Sequence, residues 1–119
     1  MMKFDHLNIP VSGLERSRDW YISTLGLKVE FEIPDRRTVA LQDGEGFALF
    51  LQEKGDVVPN GIALWFQLDD VDAIFAEWSA RGVAFAHGPQ KNFWGYGAEL
   101  ADPDGYLARL WDERTMREK

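Results

Sequence analysis

The sequence predicts an α+β fold: two βαβββ units in tandem, whose strands form a curled mixed sheet around a cavity with the helices outside. Three observations carry this prediction. Eight short stretches read as strands, FDHLNIPV and LKVEFEI with apolar and polar residues alternating at period two, the mark of half-buried strands. Two segments with apolar residues at helical spacing each follow the first strand of a half. The two halves also superpose on each other at offsets of 56 to 59 residues.

In the first half, FDHLNIPV (4–11) alternates, with Leu7, Ile9 and Val11 on one face and His6 and Asn8 on the other. Ser12 offers an N-cap, and Glu15 three residues later completes a capping-box pattern. Leu14, Trp20, Tyr21 and Leu25 give the following helix an apolar side, and Gly26 offers its C-cap. LKVEFEI (27–33), RTVALQD (37–43) and FALFLQE (47–53) read as strands, the last two joined by the turn DGEG.

The second half repeats the plan. IALWFQL (62–68) reads as a strand, and DDVDAIFAEWSARG (69–82) as a helix with Asp69 at its N-cap and Gly82 at its stop. Val71, Ile74, Phe75 and Trp78 form its core face. VAFAH (83–87) reads as a short strand and GPQKNFWGYG (88–97) as an aromatic loop. AELAD and YLARLWD pair as a hairpin across DPDG, and ERTMREK is a charged, fraying end.

Laid on each other, the halves place Ser12 on Asp69, Leu14 on Val71, Gly26 on Gly82, and DGEGFALFLQ (43–52) on DPDGYLARLW (102–111). The repeat units run from about 4 to 53 and from about 62 to 112, within a single domain spanning 1–119.

The composition narrows the function classes. The 119 residues suit one domain with a real core, since 45% are hydrophobic. A net charge of −7 repels phosphate backbones, so no nucleic-acid partner is expected. No apolar run reaches the ~18 residues of a membrane span, so no membrane partner is expected either. The N-terminus lacks a signal-peptide pattern. There is no cysteine, which removes disulfides, thiolate metal sites and cysteine nucleophiles and fits a cytoplasmic protein.

Three stretches make a family resemblance specific: FDHLNIPVSGLERSRDWYISTLGLKV, FQLDDVDAIFAEWSARGV and FWGYGAELADPDGYLARLWD. In these the chain resembles the vicinal-oxygen-chelate superfamily of glyoxalase I, extradiol dioxygenases, and fosfomycin- and bleomycin-resistance proteins. The resemblance implies that each unit curls into a half-barrel. It also implies that metal-dependent members place His, Gln or Glu ligands on the first and last strands of each unit. Proteins of this length in the superfamily form dimers, so a homodimer is expected.

The four ligand positions implied by the resemblance fall on His6, Phe50, Ala63 and Arg109. Only His6 can bind a metal, because a guanidinium has no lone pair to give. A transition-metal site needs three or four convergent donors, so the reading is no metal and no cofactor. His87 lies outside the ligand pattern. No catalytic constellation can be named, and His6 is the one candidate for acid–base work.

Period two places His6, Asn8, Phe50, Trp65, Gln67, Arg109 and Trp111 on the cavity wall, and the FWGYG stretch adds Trp94 and Tyr96 as a mobile rim. A wall of aromatic groups with a few polar ones is the make-up of a small-molecule pocket. Trp65 and Phe50 can stack a planar ligand, and Asn8 and Gln67 can orient it. Arg109 can hold a carboxylate or phosphate, or lie on a ring. The expected function is therefore metal-independent binding of an aromatic or amphipathic, drug-like small molecule, as in bleomycin-resistance proteins. The alternative is a divalent-metal-dependent lyase, isomerase or dioxygenase of the same superfamily with an atypical site.

Overall fold

The computed structural model describes residues 1–117. The chain divides into two compact units, Met1–Val58 and Pro59 onward. Each contains one four-stranded mixed sheet, and neither sheet closes into a barrel.

In the first unit, β1 (Leu7–Val11) leads into α1 (Leu14–Ser23), followed by β2 (Lys28–Ile33), a 3₁₀ turn at Pro34–Arg36, β3 (Thr38–Gln42) and β4 (Ala48–Glu53). The sheet order is β1-β4-β3-β2, with β1 parallel to β4 and the other pairs antiparallel. Ile9, Val11, Leu49, Leu51, Val39 and Leu41 form its buried face, together with Leu14 and Tyr21 of α1. The opposite face carries His6, Asn8, Ala48, Phe50 and Gln52, as alternation requires.

The second unit follows the same order with β5 (Ala63–Gln67), α2 (Val71–Ala80), β6 (His87–Asn92), β7 (Gly95–Ala101) and β8 (Leu107–Trp111). Its sheet order is β5-β8-β7-β6, and β5 runs parallel to β8. Leu64, Ala98, Leu100, Ala108 and Leu110 are buried with Val71 and Trp78 of α2. The face away from α2 carries Trp65, Gln67, Glu99, Arg109 and Trp111.

Several sequence expectations shift. The N-cap of α1 is Gly13, with no side-chain cap. Ser12 Oγ instead accepts from Arg16, and Glu15 pairs with Arg37. The free Leu14 amide donates to Glu53 Oε2 at 3.0 Å, so the end of β4 does the capping. The N-cap of α2 is Asp70, one residue beyond Asp69; its Oδ1 accepts from the Ala73 amide at 3.0 Å. Gly82, at φ +91, closes α2 as expected, with the Val83 amide bonding back to the Trp78 carbonyl.

Residues 83–86 are not a strand. There Phe85 packs edge-on to Phe75 of α2 at 4.8 Å, and the Ala86 amide donates to the Glu99 carbonyl at 2.8 Å just before the β6 ladder begins. Residues 88–97 are not a loop. They lie in the β6–β7 hairpin, turned at Phe93–Trp94, where Asn92 Oδ1 accepts from the Trp94 amide. The charged end forms α3 (Glu113–Arg117), begun by Asp112 accepting from the Thr115 amide and hydroxyl; Glu118 and Lys119 lie outside the described residues.

Candidate functional site

The first unit presents a cleft of about 540 Å³ lined by Lys3, Asp5, Glu30, Phe31, Gln42, Phe47, Ala48 and Phe50. This volume lies within the range of roughly 300–1,000 Å³ for small-molecule sites. Its rim is held by Asp43, whose Oδ1 accepts from the Glu45 and Phe47 amides. The His6 ring stacks on Phe50 at 3.7 Å between centroids with 16° between planes, and Phe31 meets Phe50 edge-on at 5.5 Å. His6 Nδ1 lies 2.8 Å from Asp5 Oδ2. Asn8 Nδ2 reaches Gln52 Oε1 at 3.5 Å. Sheet one thus offers a ringed wall with an imidazole and an amide pair beside it.

In the second unit, Arg109 projects from β8 on the face away from α2. Its guanidinium carbon lies 5.5 Å from the Trp65 ring, 5.3 Å from Phe93 and 5.5 Å from Trp94. Trp65 and Trp94 themselves meet edge-on at 4.8 Å. Arg109 Nε approaches Glu99 Oε2 at 3.4 Å, and His87 Nε2 lies 3.5 Å from Glu99 Oε1. Trp94 can fold down onto the sheet because Gly97 has no side chain. A Cβ there would meet the Trp94 ring at 2.7 Å as well as the Leu110 carbonyl oxygen.

The remaining sequence-assigned residues do not all join these clusters. Gln67 and Trp111 are cross-strand neighbours on the Arg109 face, and Gln67 Nε2 donates to Glu113 Oε1 at 3.2 Å. Tyr96 sits on the opposite face. Its hydroxyl donates to Asp72 Oδ1 of α2 at 2.9 Å, and burial beside that carboxylate pushes its pKa up. Sequence reasoning missed Glu99 and His87. Both pair across β6 and β7, and the irregular register between His87 and Gln90 hides the alternation that would have marked them.

Comparison with known proteins fits this geometry. The sequence profile of the Glyoxalase/Bleomycin resistance protein/Dioxygenase superfamily matches residues 3–110. The chain belongs to this superfamily. It is similar to TnmS3, an antibiotic binding protein from Streptomyces sp. CB03234, at 30% identity over 94% of this chain and 96% of that one, with a TM-score of 0.77. It is also similar to protein ATC0852 from Agrobacterium tumefaciens, at 29% identity over 94% and 98% of the two chains, with a TM-score of 0.72. A possible glyoxalase from Bacillus cereus shares the fold at 21% identity over 92% and 98%, with a TM-score of 0.74. No curated protein sequence matches the chain.

The four ligand positions that the family resemblance implies for this chain are His6 and Phe50 in the first unit and Ala63 and Arg109 in the second. These residues do not fit a divalent ion. Only His6 offers a donor atom: Phe50 and Ala63 have none, and Arg109 brings a positive charge. Among the described residues no group of three or more His, Cys, Asp or Glu side chains is placed to hold a metal ion. No described helix is long and apolar enough to cross a membrane.

Proposed function

We propose that this protein binds an aromatic or amphipathic, drug-like small molecule without a metal or other cofactor, through the ring-lined open faces of its sheets. The observation that carries the reading is the Trp65–Phe93–Trp94 group around Arg109, set beside the absence of a convergent donor set among the described residues. The His6–Phe50–Phe31 stack at the 540 Å³ cleft supports it from the first unit. The likeness to a protein named for antibiotic binding supports the ligand class and an antibiotic-sequestering role. Asn8, Gln67 and Trp111 supply the remaining contacts on these faces.

The protein acts as a homodimer in the cytoplasm. The dimer reading is supported by β2, an edge strand whose Val29, Phe31 and Ile33 are exposed apolar residues. The net charge of −7 argues against nucleic acid as a partner.

The test is elemental analysis of purified protein together with tryptophan fluorescence during a screen of aromatic compounds. The reading predicts no stoichiometric metal and saturable quenching by at least one compound. One Zn, Ni, Mn or Fe per site, with activity lost in His6→Ala, would establish the metal-dependent lyase, isomerase or dioxygenase instead.

A further inference from the structure

Arg109 is an unusual side chain for an exposed sheet face. It is only 16% exposed, and three aromatic rings surround its guanidinium. Its one hydrogen bond among the described residues runs from Nε to Glu99 Oε2, at a long 3.4 Å. The terminal nitrogens Nη1 and Nη2, which form the bidentate fork of an arginine, have no acceptor among the described residues. Neither nitrogen is among the fully buried unpartnered atoms, so the fork stays open to a ligand on this face. Ring contacts stabilise the charge but accept no conventional hydrogen bond.

We propose that this fork is the specificity element of the binding site, and that the ligand is a planar aromatic carboxylate. Its two oxygens would take Nη1–H and Nη2–H side by side while its ring system lies against Trp65 and Trp94. The proposal rests on the small-molecule reading above and adds the ligand's charge to it. A carboxylate matches the planar fork in geometry and brings one negative charge. Glu99, which touches Arg109 through Nε and leaves the fork open, already supplies one negative charge at the site. It therefore disfavours a dianionic phosphate more than a monoanionic carboxylate. Arg109 already places a positive charge among these rings, so an organic cation is repelled there.

The experiment is calorimetric titration of the full chain with three probes of one shape: 1-naphthoate, 1-naphthalenemethanol and 1-naphthylmethylammonium. Wild-type protein is expected to bind the naphthoate at least tenfold more tightly than the alcohol, and the ammonium most weakly. Arg109→Met keeps apolar bulk between the rings and should bind naphthoate and alcohol alike. Arg109→Lys keeps the charge without the fork and should retain only part of the preference. If naphthoate and alcohol bind wild-type protein equally, or the ammonium binds best, the carboxylate assignment falls while small-molecule binding stands. A preference retained in Arg109→Met would overturn the role of the fork. Failure of all three probes would overturn the carboxylate assignment, while small-molecule binding is decided by the fluorescence screen above.

Discussion

The Asp112 carboxylate at the end of β8 accepts the Val71 amide proton at 2.6 Å and so caps α2 from outside the helix. The Glu53 carboxylate at the end of β4 does the same for the Leu14 amide of α1 at 3.0 Å. The two contacts are related by the internal repeat, because Glu53 precedes Asp112 by the same 59 residues that separate Asp43 from Asp102. Each ties the closing strand of its unit to the helix that follows the opening strand, and satisfies an N-terminal amide that the helix cannot.

Asp112 is fully buried and also accepts from the Thr115 hydroxyl and amide, so it serves α3 too. Burial alone would raise its pKa, but these hydrogen bonds outweigh that and hold it below the ordinary 3.8. Asp112→Ala is expected to lower stability by about 2–3 kcal/mol in urea unfolding, since it strips a cap and strands buried donors. Asp112→Asn keeps an acceptor oxygen and should lose less.

Arg37 grips Glu15 with two bonds of 2.8 Å and Glu53 with bonds of 2.9 and 3.0 Å, from a left-handed backbone at φ 46. The guanidinium holds the Glu15 pKa at about 2, against an ordinary 4.5, and lowers that of Glu53 in the same way. A carboxylate depressed in the folded state contributes stability above its unfolded pKa. That contribution is lost as pH falls through the folded value. Melting temperature should therefore drop between pH 4.5 and pH 2 in wild-type protein. The drop over that window should be shallower in Arg37→Met, and salt should weaken the difference because the pairs are exposed.

Ser17 lies on the buried face of α1 with its hydroxyl unpaired. A buried hydroxyl without a partner costs more than the methyl group that would replace it. Ser17→Ala should raise stability by about 1 kcal/mol in urea unfolding, helped by the better helix propensity of alanine.

Gly97 leaves room for the Trp94 ring, and a methyl group there would collide with that ring and with the Leu110 carbonyl oxygen. Gly97→Ala is expected to cost about 1–3 kcal/mol as an overpacked site. It should also push Trp94 away from Arg109, which a shift in tryptophan emission would report.

The strands and helices were legible where period two or period 3.6 ran uninterrupted, as in β4 and α2, and the repeat followed from them. The β6–β7 hairpin was not. Gly88 and Pro89 carry loop composition into a strand, and the register shift after His87 breaks the parity that links it to Glu99. Tyr96 reads in the sequence as a site residue beside Trp94, yet it sits on the same side of β7 as Ala98 and Leu100 and turns to α2. The grip of Arg37 depends on partners 16 and 22 residues away, which no local pattern reveals. Arg109 was visible as a misplaced charge, but the ring box around it needed the turn at Phe93–Trp94 to be known.

Calorimetry separates metal-free ligand binding from a metal-dependent site. Chelator-treated protein is titrated with 1-naphthoate, alone and after addition of Zn²⁺, Ni²⁺, Mn²⁺ or Fe²⁺. Saturable binding to the metal-free protein is expected, with an affinity that the ions leave unchanged. Binding that appears only when one of these ions is restored would contradict it.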